Sequence, residues 1–294
     1  VFTATLILQF LEEDVFKLED SFLDHMSQPN VKILSKLLYY KDVNYSSKIT
    51  IKDLLRHTSG IPDYFSEDSR FIDYVMDFPE KQWCWQDIIH KFFDYGLNKK
   101  GKFKSGNGFH YSDTNYLLLA VLLEDISNMR FHEVLEERIL KPLSLNQTYL
   151  EYFQELKTTT PIITPSYNFS GIVDINTSFD WGGGGLVSSS ADLDNFIRLL
   201  TAGKLFKNEN TFLLMSDFAF PFSVHDSKRR DVYGMGLQYR EYSDYNFIGH
   251  NSAYGGMMFY DQESDVSIIL SINQFGSTYK AEWIMKKIIN IFFT

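Results

Sequence analysis

Cysteine is nearly missing from this chain: Cys84 stands alone among 294 residues. No disulfide can form within the chain, and no thiolate metal centre can be assembled. Flanked by Trp83 and Trp85, Cys84 is expected to be a packed, inert thiol. The seven histidines show neither His-x-x-x-His nor His-Glu-x-x-His spacing, so no metal site is expected. Positive charge is in deficit, with 28 Lys and Arg against 38 Asp and Glu for a formal charge of −10. Nucleic acid needs a basic face, so that partner is excluded. No apolar run approaches the roughly 20 residues of a membrane-spanning helix. No basic segment leading into an apolar stretch and cleavage site opens the chain, and cellular location is left open. Gly182-Gly183-Gly184-Gly185 lacks the Gly-Lys-Ser/Thr ending of a phosphate loop, and no Gly-x-Ser-x-Gly elbow is present. No cofactor is expected; the four glycines are read as close backbone packing.

What is present reads as globular. Hydrophobic residues make up 44% and charged residues 22%, both near globular averages. The length allows a sizeable core in one large domain or two intimate ones. Ala4, Ile7, Leu8, Leu11, Val15 and Leu18 recur at helical spacing, which predicts an amphipathic helix over residues 1–18. No Ser, Thr, Asp or Asn precedes Val1 to cap it, so this helix is expected to begin earlier than Val1. Asp20 to about Asn44 reads as a loop-rich connection with a short helical piece. Thr50 with Asp53 three residues on is a capping-box pattern, for a helix that ends at Gly60. Periodicity predicts helices over 83–98 and 114–141, and a capped helix follows the glycine-rich turn through about Leu200. Beyond Tyr233 the pattern turns to strands at Gly236–Tyr242, Asn246–Ser252, Gly255–Asp261 and Val266–Asn273. Their short links favour an antiparallel meander. A last amphipathic helix is expected from Ser277 to Phe293. Helices first and strands last make an α+β chain.

Four segments carry chemical information. Tyr111-Ser112-Asp113-Thr114-Asn115-Tyr116 runs into an apolar stretch at Leu117-Leu118-Leu119. Leu54-Leu55-Arg56-His57-Thr58-Ser59-Gly60-Ile61-Pro62 precedes it, Pro142-Leu143-Ser144-Leu145-Asn146-Gln147-Thr148 follows, and Ile248-Gly249-His250-Asn251-Ser252-Ala253-Tyr254-Gly255-Gly256 lies near the end. A Tyr-x-Asp triplet alone is common by chance; the order and spacing of all four give it weight. Together they resemble the serine β-lactamase and penicillin-binding-protein superfamily, in its class C β-lactamase, D-Ala-D-Ala carboxypeptidase and esterase branch. The resemblance implies an antiparallel sheet packed by helices, with an inserted mostly helical region. Residues 1–20 would be the nucleophile-bearing helix without its first turn. Residues 21–175 would be the helical region with the tyrosine motif, and 176–294 the α/β region with the sheet and C-terminal helix.

The same resemblance assigns roles. Tyr111 would be the general base, and Asp113 would stand where the family has Asn or Asp beside the substrate amide. A free phenol is only about one part in a thousand ionised at pH 7, so such a base needs cations nearby. The family supplies them from the lysine of a Ser-x-x-Lys motif and from a third motif. His250-Asn251-Ser252-Ala253 occupies the place of that third motif. His250 would hold the field around Tyr111 and contact substrate, Asn251 and Ser252 would line the substrate, and the Ala253 N–H would form half of the oxyanion hole. Ser252 replaces the usual glycine and is expected to crowd the cleft.

The nucleophile itself is not found. In the resembled family the helix opens with Ser-x-x-Lys and continues as Phe-Thr-Ala; Phe2-Thr3-Ala4 matches that continuation, which places serine and lysine just upstream of Val1. The literal Ser277-Thr278-Tyr279-Lys280 lies beyond every other landmark, and Ser277 reads as a helix cap. His57 and Ser59, two apart in one turn, are not expected to pair as a triad. Two functions follow: a serine hydrolase acting through an acyl-enzyme on a β-lactam, a D-Ala peptide or a small ester, or a non-catalytic binding or scaffold protein on the same fold. The expected partner is a small-molecule or peptide substrate. Without strands preceding Val1, Val266–Asn273 is expected to present an unpaired edge.

Overall fold

The computed structural model describes residues 1–155, 162–163, 166, 175–221, 231–242 and 244–292. Helix α1 (Phe2–Leu11) runs through the middle of the core, with Phe2 to Leu8 all buried. It stops well short of residue 18, because Asp14 turns the chain at φ +55°. Val15 and Leu18 therefore belong to the following loop, and the expected one-sided helix is in fact buried nearly all round. Such a helix lacks a polar face because every side of it meets protein.

Helix α2 (Ile51–Leu55) begins with the expected capping box. Thr50 Oγ1 accepts the Asp53 N–H at 3.0 Å, and the Asp53 carboxylate accepts the Thr50 N–H at 3.1 Å. It ends before Gly60, since His57 turns into the left-handed region at φ +56°. The segment predicted as one helix over 114–141 is broken. Helix α3 (Asp113–Ser127) stops where Asn128 takes a left-handed conformation, a common helix terminator. Phe131–Leu135 and a wide turn at Glu136–Leu140 follow as separate elements. The helix expected over 83–98 is Trp85–Asp94, followed by Gly96 at φ +68°. Cys84 is the exposed N-cap residue of that helix, which corrects the expectation of a packed thiol. The alternation of the chain turns its neighbours Trp83 and Trp85 inward instead.

Two short antiparallel pairs, Tyr39–Tyr40 with Val43–Asn44 and Tyr149–Leu150 with Leu186–Val187, stand apart from the main sheet, a six-stranded antiparallel meander. In chain order the strands of the meander are β1 (Phe220–Pro221), β2 (Asp231–Tyr233), β3 (Gln238–Tyr242), β4 (Tyr245–Asn251), β5 (Gly256–Asp261) and β6 (Val266–Ser271). Each pairs with the next, and β6 is terminal in the sheet. The central pairing is close-fitting: a Cβ on Gly249 would collide with the Met258 carbonyl of β5. Helix α4 (Ser190–Thr201) packs on β5 and β6 from one side, and Phe196 stacks on Phe2 of α1 at 3.8 Å. Helix α5 (Thr278–Phe292) covers the other face through Ala281, Met285 and Ile289, against Phe247, Phe259 and Ile268. Phe293, the expected last residue of α5, lies outside the described residues. The architecture is the α+β one expected: helices on both sides of an antiparallel sheet.

Ser277 precedes α5, and its carbonyl accepts the first helical N–H groups, from Lys280 and Ala281. Its hydroxyl donates back to the Gln274 carbonyl, so it caps with its backbone. Among the glycines at 182–185, Gly182 provides the close packing. It sits at φ +80°, where a Cβ would lie 2.6 Å from that of Ala120 in α3. Its carbonyl accepts Thr3 Oγ1 of α1 at 2.7 Å, tying three elements together.

Candidate active site

Two segments far apart in sequence are stitched together at the start of α3. The Ser112 and Thr114 hydroxyls both donate to the Pro62 carbonyl, at 3.2 and 2.9 Å. Thr114 Oγ1 in turn accepts the Tyr64 N–H at 2.9 Å. Ser59 Oγ donates to Asn115 Oδ1 at 2.6 Å, and the His110 N–H meets the His57 carbonyl at 2.9 Å. Hydroxyl-bearing residues do this because their short side chains reach backbone groups that helix and turn geometry leave unpaired. The consequence is a rigid base for Tyr111, whose ring lies over that of His57 with centroids 4.3 Å apart.

Tyr111 is also 6.2 Å from the His250 ring and 6.0 Å from Tyr233. The two landmarks expected to meet, residues 111–116 and 250, therefore do meet. Their electrostatics differ from expectation. Burial pushes the Tyr111 phenol well above its ordinary value, and the negative charge of Asp113 pushes in the same direction. Its hydroxyl hydrogen-bonds to Asp113. His250 is neutral rather than cationic: burial pulls its pKa down to about 3. The expectation that His250 supplies positive field to Tyr111 is thus corrected, because desolvation of the partly buried ring disfavours its protonated form.

Strand alternation corrects Asn251 as well. Neighbours along a strand point to opposite faces, so with His250 on the Tyr111 side, Asn251 points away. Its Oδ1 accepts Gln238 Nε2 at 3.0 Å, and Gln238 Oε1 accepts from Arg240 at 2.8 Å. Arg240 is buried and paired with Glu282 of α5. Asn251 thereby belongs to a polar ladder on the α5 side of the sheet. Ser252 is exposed, and its hydroxyl accepts the Tyr254 N–H at 3.1 Å within its own turn. Ala253 is exposed too, and its carbonyl is held by the Gly276 N–H at 2.8 Å. Among the described residues the Ala253 N–H donates to none, leaving it available to an oxyanion.

Three carboxyls that spacing did not single out as a group converge beside Tyr111. Asp63 Oδ1 accepts the Asp113 N–H at 3.0 Å, and Asp180 accepts the Tyr254 hydroxyl. Burial raises all three: Asp63, Asp113 well above its ordinary range, and Asp180 to about 7. Their mutual repulsion adds to the rise in Asp113 and Asp180. Gly183 lies against Asp113, where a Cβ would be 3.6 Å from the carboxylate. The first turn of α1 borders the same space: a Cβ on Gly236, at the head of β3, would lie 2.7 Å from that of Ala4 and 3.6 Å from the Val1 Cα. Val1 lies within electrostatic reach of both His250 and His57.

His57, Tyr233 and Asn115 are the site residues that sequence reasoning missed. Tyr233 Oη lies 3.3 Å from His57 Nε2 and 3.2 Å from His250 Nε2, while Asn115 reaches His57 Nδ1 at 3.1 Å. No spacing rule connects positions 57, 115 and 233. The available signal was a histidine and a tyrosine each next to segments already singled out. Among the described residues no cluster of side chains could hold a metal ion, and no helix is long and apolar enough to cross a membrane.

Comparison with known proteins places this geometry. The sequence profile of the Beta-lactamase family matches residues 1–287. Protein flp of Staphylococcus aureus (strain NCTC 8325 / PS 47) is 27% identical over 212 residues, covering 67% of this chain and 36% of that protein. The chain spans only about a fifth to a third of the length of the curated relatives it matches, which include a penicillin-binding protein of Bacillus subtilis (strain 168). Among solved structures, a D-stereospecific amidohydrolase from a Streptomyces species superposes with a TM-score of 0.79 at 24% identity, over 96% of this chain and 82% of that one. The D-amino acid amidase of Ochrobactrum anthropi SV3, bound to D-phenylalanine, does so at 0.75 and 19%, over 98% and 88%. At these identities the likeness concerns the fold.

Proposed function

The chain belongs to the beta-lactamase family, and from that premise we propose that it serves a serine hydrolase that cleaves amide bonds through an acyl-enzyme. The convergence of Tyr111, Asp113 and His250 beside the first turn of α1 carries this reading. The nucleophilic serine and its lysine are assigned to residues immediately preceding Val1, because Phe2-Thr3-Ala4 continues the family's motif. A lysine there would bring a cation to Tyr111, lowering the phenol into a range where it can take the serine proton. Tyr111 would then pass that proton to the leaving amine, while the Ala253 N–H and the serine N–H hold the oxyanion. His250 contributes as a neutral group.

The three raised carboxyls bear on substrate. An anionic β-lactam would further disfavour the ionised forms of Asp113, Asp63 and Asp180, whereas a substrate with a free amine would stabilise them. The amidase neighbours act on substrates of that second kind by name. The proposed substrate class is therefore an amide with a nearby ammonium group, such as an amino-acid amide.

The test uses a chain extended upstream of Val1 by its own coding sequence. It is expected to label with a fluorophosphonate and to hydrolyse amino-acid amides in preference to penicillins, while residues 1–294 do neither. Tyr111→Phe in the extended chain should lower kcat by about 10²–10⁴-fold. Turnover by residues 1–294 that survives Tyr111→Phe unchanged refutes the mechanism. A second reading, a binding protein on the same fold, is favoured by Ser252 standing where the family's third motif has glycine. Absence of Ser-x-x-Lys from the codons before Val1 would select it.

A further inference from the structure

We propose that His57 and Tyr233 are positioning residues: with His250 they form a hydrogen-bonded column, His57–Tyr233–His250, that fixes the ring orientation of His250 and props the ring of Tyr111. Its relevance to turnover rests on the proposed hydrolase, but the column itself is a property of residues 1–294.

The direction of each hydrogen bond follows from what its partner can do. His57 Nδ1 lies 3.2 Å from the Ser112 N–H, which only donates. Asn115 is oriented by Ser59, whose hydroxyl donates to its Oδ1 at 2.6 Å, so its amide nitrogen faces His57 Nδ1 at 3.1 Å. Two donors converge on that ring nitrogen, and it carries no proton. The proton of neutral His57 is therefore on Nε2, 3.3 Å from Tyr233 Oη. At the other end, His250 Nδ1 lies 2.6 Å from the Asn251 carbonyl, which only accepts. That nitrogen carries the His250 proton and Nε2 is bare, 3.2 Å from the Tyr233 hydroxyl. Tyr233 thus accepts from His57 and donates to His250, and every donor in the column meets an acceptor.

Burial enforces this arrangement. His57 and Tyr233 have essentially no exposed surface, and desolvation lowers both histidines, so neither ring is protonated to break the pattern. His57 holds a left-handed backbone at φ +56°, a conformation that strains a non-glycine residue. The payoff in geometry is that its ring faces Tyr111 at 4.3 Å while its nitrogens span Ser112 and Tyr233. Tyr116 also hydrogen-bonds to the Tyr233 hydroxyl; its own proton goes to the Leu55 carbonyl at 3.0 Å, so it offers Tyr233 only a phenol oxygen, a weaker acceptor than the bare nitrogen of His250.

The experiment is nitrogen-15 NMR of the imidazole rings in residues 1–294, which needs no catalytic activity. His57 is expected as the Nε2–H tautomer and His250 as the Nδ1–H tautomer, with neither titrating between about pH 5 and 8. Tyr233→Phe should shift the His250 Nε2 resonance to that of an unbonded nitrogen and raise its titration midpoint. His250 found as the Nε2–H tautomer in the unaltered chain overturns the proposal, as does a Tyr233→Phe spectrum with the His250 nitrogens unmoved. The wild-type tautomers decide the question even if Tyr233→Phe fails to fold. Lost turnover in the extended chain with both tautomers as stated would fault the hydrolase reading and leave the column standing.

Discussion

Replacing Asp180 by asparagine keeps an acceptor for the Tyr254 hydroxyl and deletes a carboxyl that the fold raises from 3.8 to about 7. Burial is the main cause, with the charges of Asp63 and Glu151 behind it and Tyr254 acting against them. A carboxyl raised on folding binds its proton more tightly in the native than in the unfolded chain. Its contribution is fully present below the unfolded value near 3.8 and is lost as pH rises through about 7. A rise of that size corresponds to up to about 4 kcal/mol. For a chain of 294 residues the equivalent change in Tm is roughly 6 °C. The wild-type profile alone mixes opposing groups. Asp63 and Asp113 act with Asp180, whereas His57 and His250, whose native pKa is lowered, gain stability as pH rises to the unfolded histidine value. The difference between Asp180→Asn and wild type isolates the one carboxyl. Thermal melts from pH 4.5 to 8.5 should show that difference moving in favour of the variant by several degrees, mostly between pH 5 and 8. A difference that stays constant across the range refutes the argument that Asp180 is held protonated by the fold.

Two further changes test the frame that carries the site. Gly249→Ala places a methyl group on the Met258 carbonyl across the β4–β5 pairing and should cost about 3 kcal/mol or more; denaturant titration reads this, and a change under about 1 kcal/mol would show that the strands can separate there. Thr50→Ala removes the capping hydroxyl of α2 and should cost about 1 kcal/mol, whereas Thr50→Ser should cost less; equal losses would place the effect in the lost methyl group instead.

The order of landmarks along the chain was sufficient for the family and the α+β fold, since each landmark is a local pattern whose meaning survives without contacts. The capping box at Thr50 and Asp53 was legible for the same reason: both partners lie within one turn. Strands β3 to β6 were legible to within a residue or two, because alternation and turn residues are local, whereas β1 and β2 were not predicted. The breaks in helices were not. Asn128 and Asp14 leave the helical region although apolar periodicity continues past them, and nothing local weighs a left-handed stop against one more turn.

The sequence by itself determined the family and the α+β fold, and it singled out Tyr111, Asp113, His250 and Ala253 as candidate site residues. Tertiary structure alone decided how those groups are charged and which of them face one another. Asn251 turns from the site because strand alternation is counted from His250, and Arg240 and Gln238 wait on the other face. His57 and Tyr233 join the site because α2 and β2 end at the same point in space. Protonation followed as well: Tyr111, Asp113, Asp180 and His250 depart from their ordinary pKa values. Desolvation depends on everything packed around a group, and no stretch of sequence around that group encodes it.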